Sequence, residues 1–466
     1  MPIAAAIAQS SNFSVGFPNP FRDLTTIFEF SRATAIRGPV PNGTEQVSRF
    51  RAFIWITALA LNKGFYVYER RLQVEHFPFL SLSPRPSLHT YNPYANTTFE
   101  HSDEIRIPIQ QQDLYTLSCD SFLYVEGKLS VKKPNDKSTI VLGNNCVAFM
   151  FDEICYELNG VEIDRNRNVG ITSSLKNYIS LTSDNTLILQ NAGWNGSTST
   201  AGGYFNFCIP LRILLGFCED YKRVVVNARH ELILIRARND NNSIMGDSTT
   251  EPEIEVHKVQ WRMPHVMLNE VNKLSLLRTL DSGRYLSMTF RSWDLYEYPL
   301  LQSTTKHSWA VKAATQLEKP RYVIFALQTG RKNIMSKSSA VFDACELTNV
   351  KLYLNSECYP YDDLNLDFNK NRYAILYNMY ARFRKSYYGC HYGEVFCNIT
   401  TFLSNEPFVV IDCSRQNESI KSASVDVRIE FDCKENVPHN TTAYCLILHD
   451  RIVEYSPLSN VVRKVL

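Results

Sequence analysis

No stretch of this sequence approaches the roughly 18–20 consecutive apolar residues of a membrane-spanning helix. The best run, residues 53–61, is interrupted by Thr57 and stops at Asn62 and Lys63. The first residues, MPIAAAIAQ, carry neither a basic leader nor an apolar stretch of useful length, so no secretory signal is read and a soluble intracellular chain is expected. Excess charge is also missing. Lys and Arg number 49 against 47 Asp and Glu, so no strong overall field draws the chain to nucleic acid or to an anionic membrane. The twelve cysteines contain no C-x-x-C pair of the kind that zinc sites and thioredoxin-like centres use. Reduced, buried thiols are expected, as at Cys155 and Cys445, which sit in the apolar runs FDEICYEL and AYCLIL.

Dense catalytic motifs are absent as well. There is no P-loop, no G-x-G-x-x-G and no G-x-S-x-G elbow, which disfavours common nucleotide binding and serine-hydrolase chemistry. The ten histidines are scattered, with no H-x-H or H-E-x-x-H to set two imidazoles on one metal. No catalytic residue, metal ligand or cofactor site is therefore assigned, and the chain is read as a non-enzyme. Carboxylate pairs such as Glu153 with Glu157, or Asp281 with Asp294, leave a glycosidase reading open without positive support.

What is present is a chain of 466 residues, 44% apolar and 12% aromatic. Disorder is excluded by that composition, and more than one domain is expected by that length. Residues 44–62 read as a helix, with Val47, Phe50, Ile54, Ala58 and Leu61 at helical spacing and Thr44 as cap. Four prolines and many turn formers over 76–98 then read as a linker. From residue 103 onward, short runs rich in Val, Ile, Tyr and Phe alternate with Asn, Asp, Gly and Pro. Expected strands are 121–131, 146–158, 161–163, 204–210, 223–226, 231–238 and 254–261, then 308–313, 321–327, 346–354, 408–413, 425–431 and 444–448. Asn159-Gly160 is the strongest hairpin signal in the chain, because both residues tolerate the positive φ of a type I′ turn. Residues 172–181 read as a brief helix.

The two strand series form a weak repeat. Cys155-Tyr-Glu-Leu158 pairs with Cys345-Glu-Leu347, 231–238 with 425–431, and 254–259 with 444–448, all at nearly one offset. Two similar units of about eight antiparallel strands bury their faces most simply as tandem sandwiches. Two surface motifs remain. Asp362, Asp363 and Asp367 could offer oxygen ligands to a hard cation, or form a solvated turn. Arg382, Arg384 and Lys385 stand among aromatics, as in a strand or loop that grips single-stranded nucleic acid, or as a basic face snorkelling over an apolar core.

The runs DEIRIPIQQQDLYTL at 103–117, SFLYVEGKL at 121–129, EICYELNGVEIDRNRNVG at 153–170 and IPLRILLGFCED at 209–220 carry a family likeness. Through them the chain resembles the double jelly-roll-like proteins of insect and other animal genomes, which are similar to major capsid proteins of Polinton/Maverick-type elements and adintovirus-like DNA viruses. The likeness covers residues 90–466 and is densest over 103–240. It implies an all-β fold of two tandem eight-stranded jelly rolls with short helices in loops, a first at 91–265 and a second at 266–466; residues 1–90 depart from the family pattern and are read as an N-terminal extension with one helix and a Pro-rich linker. It further implies a homotrimer acting as a pseudo-hexagonal capsomer, contact with other capsomers and a penton protein in an icosahedral shell, and residence in a virion, cytoplasm or nucleus. It supplies no catalytic residues. A non-assembling binding protein and a β-sandwich enzyme are the alternative readings, since fold alone does not fix function.

Overall fold

The computed structural model describes residues 86–465, apart from 96–97, 111–114, 134–138, 195–200, 282, 284, 312–319, 356, 390–394 and 416–424. The helix expected at 44–62 lies outside the described residues. The chain divides into compact units Met1–Leu80 and Ser81–Leu466, and everything below belongs to the second.

Alternation builds the first sandwich. In β4 (Phe122–Val131) Leu123, Val125 and Leu129 point inward while their neighbours face outward. The other strands, in chain order, are β1 (Ser87–Tyr91), β2 (Glu104–Ile109), β3 (Tyr115–Thr116), β5 (Val141–Leu142), β6 (Phe151–Leu158), β7 (Val161–Arg167), β8 (Tyr204–Pro210), β9 (Val225–Val226), β10 (His230–Arg236), β11 (Ile244–Met245) and β12 (Pro252–His265). One sheet runs β8-β4-β12-β3-β9 with β1 also paired to β12, and the facing sheet runs β2-β10-β6-β7.

The second sandwich follows as β13 (Leu286–Tyr298), β14 (Lys306–Val311), β15 (Pro320–Thr329), β16 (Leu347–Leu354), β17 (Glu357–Tyr359), β18 (Val409–Asp412), β19 (Val427–Cys433), β20 (Thr441–Ser456) and β21 (Val461–Val465). Its sheets run β13-β20-β15-β18, with β21 on β20, and β14-β19-β16-β17. The repeat read in the sequence is thus visible in the strand order. β10 and β6 occupy in the first sandwich the places of β19 and β16 in the second, and the peptides 231–238 and 425–431 fall on β10 and β19. Short accessory strands supplement the eight expected of each sandwich. Nine consecutive buried residues open β20, so both of its faces are covered.

Helices fill the connections: α1 (Cys146–Phe149), α2 (Val169–Ser180), α3 (Ser183–Leu189), α4 (Gly216–Asp220), α5 (Glu270–Asp281), α6 (Ala374–Tyr388) and α7 (Ile399–Asn405). The Asn159-Gly160 turn closes the β6–β7 hairpin with φ of 49° and 77°, as the sequence predicts.

Three local expectations are corrected. Residues 87–91, inside the segment read as a linker, form edge strand β1 in register with Trp261–His265, because a proline-free pentapeptide can pair although prolines flank it. Residues 146–149 are helical and not strand, since Asn145 turns the backbone left-handed and its amide bonds to Ser173 and Ser174 on α2. Residues 380–388 are helical and not strand or loop: Leu376, Tyr380, Phe383 and Tyr387 recur at helical spacing and bury one face of α6.

Candidate functional site

The most elaborate polar arrangement joins the two sandwiches. It starts on β7, where the Asp164 carboxylate is fully buried. One of its oxygens accepts from the Phe217 amide of α4 at 2.9 Å, the other from the Ser292 hydroxyl of β13 at 2.8 Å. Burial raises its pKa, while Arg451, Phe217 and Ser292 hold it down.

Beside it, α4 lies against β13. Asp220 clasps the Arg291 guanidinium in a fork, with Nε to Oδ2 at 2.7 Å and Nη2 to Oδ1 at 2.6 Å. The remaining Arg291 Nη1 donates to the Tyr387 carbonyl at 2.6 Å, and the guanidinium lies 3.5 Å from the Tyr387 ring centroid. That approach requires Gly216, because a Cβ there would sit 1.8 Å from the Arg291 carbonyl oxygen.

A third layer is built on α2, all twelve of whose residues are buried. Lys176, 1% exposed, donates to Glu219 at 2.7 Å and to the Tyr388 hydroxyl at 3.1 Å, and lies 4.6 Å over the Trp293 ring. Desolvation lowers the Lys176 pKa, opposed by Glu219. Tyr380 donates to the Tyr178 carbonyl and Arg384 to that of Ser180, so α6 of the second sandwich caps α2 of the first. The Asp220–Arg291 fork, the Ser292–Asp164 bond and the bonds from Tyr380 and Arg384 thus tie the two sandwiches together. An adjoining cleft of about 330 Å³ is lined by Asp152, Asn168, Arg238, Glu297 and Lys332. Its charges of both signs are interspersed.

The residues singled out in the sequence disperse. Arg384 belongs to the junction, whereas Arg382 and Lys385 point to solvent from α6. Asp363 bonds to Lys351 at 3.0 Å and Asp367 to Lys434 at 3.3 Å, while Asp362 is exposed. Among the described residues no three His, Cys, Asp or Glu side chains converge as metal ligands. Glu153 pairs with Arg165 and Arg167, Glu157 stands opposite Glu231 across the strands, and Asp294 bonds His449 at 2.7 Å. Asp281 is exposed at the end of α5. The eleven described cysteines are free thiols. No helix among the described residues is long and apolar enough to cross a membrane. The junction residues Asp164, Lys176, Glu219, Asp220 and Arg291 gave no sequence signal beyond their charge inside apolar runs.

A further buried acid outside the junction is Glu406. Glu406, 2% exposed just after α7, accepts a hydrogen bond from the Cys397 thiol. Burial pushes its pKa up to about 8 from 4.5. It is therefore neutral in the folded state at pH 7 and ionised when unfolded. Its contribution to stability is whole below about pH 4.5 and is lost as pH rises towards 8. Replacing Glu406 by Gln is expected to help progressively, by about 1.4 kcal/mol per pH unit at most, between pH 5 and 8. Urea midpoints of both proteins across that range check it, and a difference that does not change with pH contradicts it.

Two β-sandwiches in tandem with matching strand order, locked by a buried polar seam, define a tandem jelly-roll protein. Residues 140–453 match the double jelly roll-like domain, and the chain belongs to that family. Solved structures with the same fold include the mavirus major capsid protein (TM-score 0.52, 9% identity, covering 84% of this chain and 93% of that one). The Sputnik virophage structure determined by cryo-EM gives 0.52 and 9% over 85% and 92%, and the PBCV-1 virus capsid gives 0.52 and 9% over 82% and 96%. At such identities the likeness is one of fold. Among curated proteins none matches.

Proposed function

We propose that this chain is a structural capsid-type subunit, viral or endogenised, and not an enzyme. The observation that carries the reading is the buried polar seam: two similar but unequal sandwiches, joined through it, would give one chain two of the six near-equivalent places in a pseudo-hexagonal ring. Three chains close that ring through heterologous contacts between the first sandwich of one and the second of the next. Such contacts need well over about 1,000 Å² each to hold permanently. The near-neutral charge offers no repulsion to packing of these capsomers, with a penton protein at the vertices, into an icosahedral shell. Residence in a virion, or in the cytoplasm or nucleus during assembly, follows from this role. The working division is an extension at 1–90 and jelly rolls at 91–265 and 266–466. Where α6 faces a shell interior, Arg382 and Lys385 are the side chains free to meet nucleic acid.

Full-length protein is expected to sediment as a trimer and to form particles in negative-stain electron microscopy. Residues 103–262 alone are expected to stay monomeric or aggregate, because they lack the second sandwich and leave Asp164 without Ser292 and Asp220 without Arg291. A stable full-length monomer at micromolar concentration in every salt condition overturns the proposal.

A further inference from the structure

The seam is not the only polar arrangement that ties distant parts of the chain together. Strand β1 is held to the first sandwich along one side only, by five register pairs with the end of β12, and most of its side chains face solvent. Its side-chain anchor is unusual. The His89 ring stacks on the His265 ring with centroids 3.9 Å apart and planes 15° from parallel. The Tyr91 hydroxyl lies 2.9 Å from His265 Nε2, and the Ser87 hydroxyl lies 3.0 Å from His89 Nε2. His265 itself is buried and pairs with Thr116 on β3. Behind Thr116 stands a third imidazole, His230 on β10, fully buried and bonded to the Thr116 and Tyr156 hydroxyls at 2.9 and 2.8 Å.

We propose that the stacked His89–His265 pair is an acid-operated latch, which holds β1 on β12 while the buried His265 ring is neutral and releases it when that ring is protonated. A cationic His265 ring is poorly matched to a buried place against a stacked imidazole. Among the described residues, the groups the structure bonds to the stack and to Thr116 behind it, Tyr91 and Ser87 from β1 and His230 from β10, carry no negative charge to offset it. Arg262, the nearest cation along β12, lies on the opposite face of the strand, over the Tyr124 ring. The Tyr91 bond survives protonation by reversing its donor, so the stack and the burial of His265 carry the effect. Burial and His89 together push the His265 pKa down to about 4 from 6.5, so each pH unit lost in that window favours the open strand by up to about tenfold. Burial pushes His230 further, to about 3, which leaves the core neutral while His265 charges. Opening would bare the outer edge of β12 over 261–265 to another strand.

The test is hydrogen exchange of full-length protein between pH 7 and 4, corrected for intrinsic rates and followed by mass spectrometry on the peptide that spans residues 86–92. The expected result is a rise in β1 opening of roughly 100-fold, with β4 and the β4-paired part of β12 still protected. His265→Phe removes the buried imidazole and is expected to flatten the profile; His89→Phe keeps a stacked ring over His265 but removes the neighbouring imidazole, and is expected to make the profile shallower. Either variant opening as the wild type does overturns the proposal. So does β1 protection that stays constant to pH 4, or β1 and β4 opening together. Exchange does not depend on particle formation, so failure of the latch and failure of the capsid reading are separable.

Discussion

Replacing Arg291 by alanine is expected to destabilise the protein by about 3–5 kcal/mol, because it strips both fork bonds from a mostly buried Asp220 carboxylate and leaves that charge uncompensated. The loss falls on the seam. The Tyr387 carbonyl and the face of its ring lose their partner too, so α6 loosens from β13. Arg291→Lys should recover only part, since an ammonium cannot fill a bidentate fork and a carbonyl at once. Urea unfolding checks the magnitude. A two-step transition, one sandwich melting before the other, is the expected shape once the seam is cut, whereas a loss below about 1 kcal/mol would show that the seam is not held by charge. On the proposed trimeric assembly, the variant is also expected to lose trimers before it loses β-type circular dichroism.

A change of similar size is expected inside the first sandwich. Arg236, 1% exposed at the end of β10, forks onto Asp240 with both bonds at 3.0 Å and donates to the Met150 carbonyl at 2.6 Å. Arg236→Met keeps the aliphatic stem but abandons Asp240, with an expected cost of about 3–5 kcal/mol. The double variant Arg236→Met, Asp240→Asn removes the stranded charge, and it should be more stable than Arg236→Met alone. That inversion is the signature of a pair whose worth lies in mutual compensation. Chemical denaturation of the wild type, both single variants and the double variant measures the coupling, and strict additivity would refute it. Unlike Arg291→Ala, these changes should leave unfolding a single transition.

The contrast between Arg236 and Arg291 marks the limit of what the residues disclose in order. Neither has a sequence motif. Strands such as β4, β10 and β20 were legible, because alternation along β4 and the run of Val, Ile and Leu in β10 and β20 depend on neighbours two residues away, whereas β2 and β13 were not read as strands. The Asn159-Gly160 turn was legible for the same reason, and so was the helix read at 172–181, which spans Val169–Ser180. Even the internal repeat survived in the letters, since equivalent strands meet equivalent burial.

The misreadings have a common origin. Strand β1 takes its pairing from β12, some 170 residues away, so a proline-flanked pentapeptide looked like linker. The peptide around Arg382, Arg384 and Lys385 mixes Tyr, Phe and Ala that suit helix or strand, and only the cores of both sandwiches, packing on Tyr380, Phe383 and Tyr387, settle it as helix.

By itself, then, the sequence determined the β-rich class, the duplicated pattern and the free-running turns, because local periodicity and backbone preference act over a few residues. Tertiary structure alone decided which charges became the seam. Asp164, Lys176, Asp220 and Arg291 look like surface residues until chain segments 40 to 130 positions apart converge and exclude water. A buried ion pair is specified by its partner's position in space, and position in space is not written in the spacing of residues along a chain.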